Sequence, residues 1–250
     1  MSQPLYDTLG TTYTSTRQED PEIAAQIHAA LGDARTVVNV GAGAGAYEPR
    51  DRTVVAVEPS PVMVGQRAVD AAPAVLAAAE RLPFLAGSFD AAMAVATIHH
   101  WDDPAAGLAE LRRVARRVVV VAGDAAVINR LWLTEDYFPG MSERCARPEV
   151  QPRAIAERLG GHTRILTLCV PVACVDGFPE AFIGRPEAYL DPDVRRNIST
   201  FRHLPADQVE AGVELLRADL ASGAWDARHG ALRHASDMDV GLRIIESDAA

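Results

Sequence analysis

A β-branched run that ends in alternating glycines is the feature that most constrains this chain. Thr36-Val37-Val38-Asn39-Val40 reads as a short buried strand, and Gly41-Ala42-Gly43-Ala44-Gly45 follows at once. Glycines in that place let the backbone turn sharply and approach a ligand closely. Thr53-Val54-Val55-Ala56-Val57 repeats the strand pattern and ends at Glu58, an acid placed to accept both hydroxyls of a ribose. Together these features point to an adenosine-containing cofactor at the carboxyl ends of a parallel sheet. Gly41-x-Gly43-x-x-Ala46 also satisfies the dinucleotide pattern, so the loop alone leaves NAD open.

The first half of the chain alternates strand and helix signals. Asp20-Pro21-Glu22 starts a helix, with an Asp cap and Pro at the first helical position, and Gly32 stops it. Pro61 to Asp70 reads as a helix, Ala74 to Ala77 as a weak third strand and Phe89 to Ala96 as a fourth. Asp103 to Ala115 reads as a helix and Arg117 to Ala122 as a fifth strand. That alternation predicts an α/β fold, a doubly wound parallel sheet with helices on both faces. Further on, Pro148 to Leu159 reads as a helix, Thr163 to Val170 as a sixth strand and Val240 to Ile245 as the last. Between the last two, prolines punctuate short helical stretches, the longest carrying Val209, Val213, Leu216 and Leu220 at helical spacing.

Composition narrows the function classes. The net charge is -10 over 250 residues, which does not suit nucleic acid as the main partner, because affinity there rests on cations. Neither a polybasic segment nor an apolar run of membrane-spanning length is evident, so no membrane partner is expected. MSQPLYDTLG has no basic or apolar leader pattern, and Cys145, Cys169 and Cys174 show no C-x-x-C spacing, so a reducing, cytoplasmic setting is expected. All 24 basic residues are Arg, which excludes lysine Schiff-base chemistry. Asp102-Asp103 reads as a helix cap, and no metal is expected.

Two features separate the cofactors. A pyrophosphate wants a long helix whose N-terminus faces it, yet Ala46-Tyr47-Glu48 meets Pro49 at once. The segments AERLPFLAGSFD and HHW are also foreign to dehydrogenases. With VVNVGAGAG, VVAVEPSPVMVGQR and AVATIHHWDDPAAGLAELRRV, they make the stretch from Val37 to about Val121 resemble a class I S-adenosylmethionine (SAM)-dependent methyltransferase. Within that class it is similar to the small-molecule group that includes ubiquinone and menaquinone C-methyltransferases.

The resemblance implies a Rossmann-like, seven-stranded sheet with an antiparallel last strand, and SAM as cofactor with S-adenosylhomocysteine as product. It implies that Gly41, Ala42, Gly43 and Gly45 underlie the methionine part of SAM, and that Glu58, with Pro59 beside it, binds the ribose. Met63 would lie against the adenine, Ala79 and Glu80 at the adenine edge, and Ala96 on the methionine side. An N-terminal arm would bring Tyr13 near the methyl and Arg17 near the SAM carboxylate. The chain departs from the family at Asn39, where an acid is usual, and at Ala115-Arg116-Arg117, where a glycine-rich turn is usual.

Methyl transfer from a sulfonium is an in-line displacement in which positioning contributes most. A base is needed only where the acceptor must lose a proton, and His99 and His100, just past the fourth strand, are the candidates, with packing as the alternative. Trp101, Trp132 and Tyr137 are candidate substrate walls, and Arg185 and Tyr189 candidate recognition residues; core packing is the competing reading. His203, His229 and His234 read as solvated. The expected organisation is a SAM-binding core of residues 1–170 and 238–250, with residues 171–237 inserted as a helical substrate cap. The expected function is methyl transfer to O, N or C of a small molecule in specialised metabolism, by a monomer or homodimer. The alternatives are a SAM-fold enzyme of non-methylating chemistry, such as cyclisation, and a non-catalytic SAM-binding protein.

Overall fold

The computed structural model describes residues 18–249. Seven strands form one sheet: β1 Thr36–Val40, β2 Thr53–Val57, β3 Ala74–Val75, β4 Phe89–Val95, β5 Ala115–Gly123, β6 His162–Pro171 and β7 Asp237–Asp248. Their order is β3-β2-β1-β4-β5-β7-β6. β1 to β5 pair in parallel, and β7 runs antiparallel to both β5 and β6. This is the Rossmann-like sheet with a reversed last strand that the sequence leads one to expect. The strand order reverses between β1 and β4, and a crevice opens at the carboxyl ends of a parallel sheet at such a point.

Alternation along each strand divides the core in two. Val37, Ala91, Met93, Val119, Val121 and Ile244 face one side, packed with helix α1 (Pro21–Ala30). Val38, Val40, Ala92, Ala94, Val118 and Val120 face the other. There they meet Leu108, Leu111 and Val114 of α2 (Pro104–Val114) and Ile155 and Leu159 of α3 (Pro152–Leu159). The Asp20 carboxylate caps α1 by accepting from Glu22 and Ile23 N–H, which satisfies two of the orphan donors at the helix start.

Several element bounds differ from expectation: β7 extends beyond Val240 to Ile245 at both ends, β3 stops at Val75, and two further differences bear on the site. The helix expected over Pro61 to Asp70 stops at Gly65, because Arg67 turns inward to hold Glu48, Gly43 O and Ala72 O. The fifth strand begins at Ala115, directly at the end of α2, so the missing glycine-rich turn is replaced by an immediate helix-to-strand change.

Between β6 and β7 lie short helical turns, one long helix, α4 (Ala206–Ser222), and the short α5 (Ala224–His229) that follows it. Val213, Leu216 and Trp225 from them join the apolar cluster on the α1 side of the sheet. α4 crosses closely over residues 137 and 138, since a Cβ on Gly212 would stand 2.6 Å from Phe138 Cε1. No helix among the described residues is long and apolar enough to cross a membrane.

Candidate active site

The glycine loop leaves β1 in left-handed backbone, with φ of 70° at Gly41, 52° at Gly43 and 98° at Gly45. Only glycine takes these values cheaply. Gly41 N and Ala42 N both donate to Val57 O, at 2.8 and 3.1 Å, which ties the loop to the end of β2. On its other side Gly41 abuts Thr97 at the end of β4. Glu58, at the end of β2, is buried; its Oε2 accepts from Gly43 N at 2.8 Å and its Oε1 from Ser60 N at 3.0 Å. The Ser60 hydroxyl caps the short turn that carries Met63, and the Met63 Cε would lie 3.4 Å from a Cβ on Gly43. Ala42 and Ala79 are buried and Pro59 is exposed; Glu80 accepts from Asp103 N at 3.2 Å. Ala96 is exposed and holds φ of 50°, an uncommon conformation for a residue with a Cβ.

Beneath the loop lies a group that sequence reasoning did not single out. Asn39 Nδ2 donates to Glu48 Oε1 at 3.1 Å, and Arg67 donates to both oxygens of Glu48, the shorter bond at 2.7 Å. Arg67 also donates to Gly43 O at 3.3 Å. The ion pair is almost fully buried. The one available signal was Asn39 itself, an amide where the resemblance leads one to expect an acid, which invites a search for the missing charge nearby.

His99 and His100 form a short helical turn with Ile98 just past β4, their rings 4.0 Å apart. Burial pushes His99 down to about 4, with Arg144 and Arg147 adding to the effect. Burial pushes His100 down to about 2, followed by His99, Arg144 and His203. Arg144 Nη2 lies 2.9 Å from His100 Nδ1. Arginine only donates, so Nδ1 accepts and the ring proton sits on Nε2. In this arrangement the Nδ1 lone pair of His100 is engaged by a cation.

The expected substrate aromatics are core residues. Trp132 Nε1 donates to Ile183 O, Tyr137 OH to Asp219 and Tyr189 OH to Pro179 O. Trp132 packs edge-on against Tyr137, Tyr189 and Trp225, all buried. Arg185 donates to Ala181 O and to Cys174 O. Trp101 lies against α2, where a Cβ on Gly107 would stand 2.6 Å from its ring. The polar atoms of Trp132, Tyr137 and Tyr189 thus have internal partners, whereas the Nε of Arg185 is buried without a partner among the described residues. His229, read as solvated, instead bonds Asp136 at 3.1 Å and stacks on Trp132. Tyr13 and Arg17 lie outside the described residues. Gly41 to Gly45, Glu58, Ala96, His99 and His100 thus gather at the carboxyl edges of β1, β2 and β4. No cluster of three or more His, Cys, Asp or Glu suited to a metal occurs among the described residues.

Comparison with known proteins agrees with this arrangement. The model of a methyltransferase domain family matches residues 38–121. No curated protein matches the chain at a significant level. A solved structure from Anabaena variabilis, of a protein assigned as a methyltransferase to an antibiotic biosynthesis pathway, is 32% identical with a TM-score of 0.83. The match covers 93% of this chain and 98% of that one. Geranyl diphosphate C-methyltransferase from Streptomyces coelicolor A3(2), solved with S-adenosylhomocysteine, shares the fold at 15% identity and a TM-score of 0.50, over 91% of this chain and 78% of that one. The (4+2)-cyclase SpnF shares it at 14% identity and a TM-score of 0.53, over 99% and 95%. The sheet order, the loop at its switch point and the near full-length relative converge: the chain belongs to the class I SAM-dependent methyltransferases, whose cofactor is SAM.

Proposed function

We propose that the protein transfers a methyl group from SAM to an O, N or C atom of a small molecule in a specialised biosynthetic pathway. The observation that carries this reading is the likeness, over nearly the whole length of both chains, to the Anabaena variabilis protein of an antibiotic biosynthesis pathway.

The residues present fit the cofactor. Among the described residues, a Cβ on Gly43 would meet only Met63 Cε within 4 Å, so the loop offers a low floor for the methionine part. Glu58 lies at the end of β2 with its carboxylate fixed by Gly43 and Ser60 N–H, beside the loop where a ribose would sit. Met63, Ala79 and Glu80 flank the adenine, and exposed Ala96 lines the methionine side. When bound, SAM supplies a methyl already activated on its sulfonium. The protein's part is then to fix the acceptor in line and exclude water. With Nδ1 of His100 held by Arg144, the acceptor atom must be nucleophilic without that imidazole as base. Residues 171–237 serve as the substrate cap, resting on the aromatic cluster around Trp132 and closing over the carboxyl edge.

Calorimetry with SAM, S-adenosylhomocysteine and NAD tests the cofactor, and tight NAD binding without SAM binding would overturn the reading. A turnover assay that follows S-adenosylhomocysteine tests the reaction. Product formed without its release would assign the non-methylating alternative.

A further inference from the structure

Arg144 stands beside His100, just past β4, and no carboxylate among the described residues pairs with it. It follows β5 and precedes Cys145, whose Sγ would lie 3.2 Å from a Cβ on Gly123 at the carboxyl end of that strand. Its Nη2 donates to His100 Nδ1 at 2.9 Å and its Nη1 to His203 Nε2 at 3.1 Å. Both partners are neutral rings. Its Nε is buried without a hydrogen-bond partner among the described residues. Arg67, Arg113 and Arg117, by contrast, each face a carboxylate, at 2.7, 2.6 and 2.9 Å, and Arg185, whose Nε is also unbonded, donates to two backbone carbonyls rather than to rings. Arg147 adds a second positive field at His99, and its own acid, Glu149, is largely exposed. A chain with 34 acids and 24 arginines has thus left this guanidinium to imidazoles.

The chemistry of such a group is specific. A guanidinium has five N–H donors in one plane, and the two imidazoles take one each. They hold the plane in place from two sides without neutralising its charge. The buried Nε–H and the remaining Nη hydrogens form the fork that suits an oxyanion. A half-buried guanidinium with no carboxylate partner among the described residues is a seat that an anionic ligand can fill.

Resting on the reading of the β4 edge as the acceptor site, we propose that Arg144, held by His100 and His203, binds an oxyanion, a carboxylate or phosphate carried by the methyl acceptor. The acceptor is therefore an acidic small molecule. The anion anchors it, and a different atom of the molecule presents itself to the methyl group.

The test loads the protein with S-adenosylhomocysteine and titrates benzoate, phenylacetate and phenyl phosphate against benzamide, phenylacetamide and phenol. At least one anion should bind tenfold or more tightly than its neutral counterpart. Arg144→Gln should reduce that preference to within twofold while leaving S-adenosylhomocysteine affinity unchanged. Arg153→Gln, at an exposed ion pair with Glu157, should retain it in full. If Arg144→Gln does not fold, Arg144→Lys decides, with a loss of threefold or more, since a lysine keeps the charge but not the fork. Which anion is preferred separates a carboxylate from a phosphate. Equal binding of acids and neutral molecules, or a preference that survives replacement of Arg144, overturns the proposal. Failure of the wild type to bind S-adenosylhomocysteine, measured before any acid is added, would instead overturn the methyltransferase reading.

Discussion

The contact between Gly41 and Thr97 joins the cofactor loop to the end of β4, and a single methyl group tests it. A Cβ on Gly41 would stand 2.8 Å from both Cβ and Cγ2 of Thr97, and closer still to its Oγ1. Rotating the threonine side chain does not help, because its Cβ is itself one of the overlapping atoms. Thr97 is buried and opens the turn that carries His99 and His100, so the backbone must shift. Overpacking of this kind costs about 1–3 kcal/mol. The φ of 70° adds about 1–2 kcal/mol of left-handed strain for alanine. Gly41→Ala should therefore destabilise by about 2–5 kcal/mol, a large part of a typical stability of about 5–15. Thr97→Gly removes all three overlapping atoms and leaves only the strain. The double variant should then recover about 1–3 kcal/mol relative to additivity in a urea-denaturation cycle. Additivity within about 0.5 kcal/mol would refute the packing argument, and so would a stable Gly41→Ala protein.

Three further outcomes are expected. Glu58→Gln keeps the shape but removes the charge, and charged hydrogen bonds exceed neutral ones by about 1–2 kcal/mol, so S-adenosylhomocysteine should bind about 5- to 30-fold more weakly by calorimetry; unchanged affinity removes Glu58 from the ribose. Asn39→Asp restores the family's usual acid but sets it against Glu48, whose oxygen lies 3.1 Å away, so the urea midpoint should fall by the equivalent of about 1–3 kcal/mol; a more stable variant would contradict this. Both His99 and His100 sit below the ordinary histidine value, at about 4 and about 2, so stability present above about pH 6.5 is lost as pH falls toward 4. The loss is at most about 1.4 kcal/mol per pH unit per ring, less for partial exposure, and a His99→Asn, His100→Asn variant should lose less from about pH 7 to 5; parallel curves would refute it.

What the sequence displays and what it hides divide along a physical line. Strands β1 and β2 match their β-branched runs residue for residue, because burial on both faces demands such runs. The glycine loop and Glu58 are legible because backbone geometry and hydrogen-bond chemistry admit few other residues there. The pattern from Pro61 to Asp70 does not show the stop at Gly65, because the force that ends the helix, the pull of Glu48 on Arg67, is tertiary. Trp132, Tyr137 and Tyr189 were open to two readings because an aromatic ring suits a pocket wall and a core equally. Only the partners of their polar atoms separate the two. Arg144 carries no motif at all: its significance comes from residues 100 and 203, brought to it by two different loops.

Asn39 shows how a departure from the family pattern can be a relocation rather than a loss. Its side chain is buried at 2% exposure, on the floor of the loop. The nearby charges already balance, one Arg67 against one Glu48, with side chains 5% and 8% exposed. A carboxylate at position 39 would leave this buried set with net negative charge, which a low-dielectric interior penalises strongly. An amide avoids that, and its N–H₂ satisfies a lone pair of Glu48 that would otherwise go unmet. Moving the acid nine positions along has a structural consequence as well, because Arg67, once drawn in, also grips Gly43 O. The loop is thus pinned from below by a guanidinium and from the β2 side by Glu58. On the proposed reading, the ammonium group of SAM meets an amide where relatives offer a carboxylate. The cofactor's hold then shifts toward the ribose, which makes Glu58 the more decisive contact in this chain.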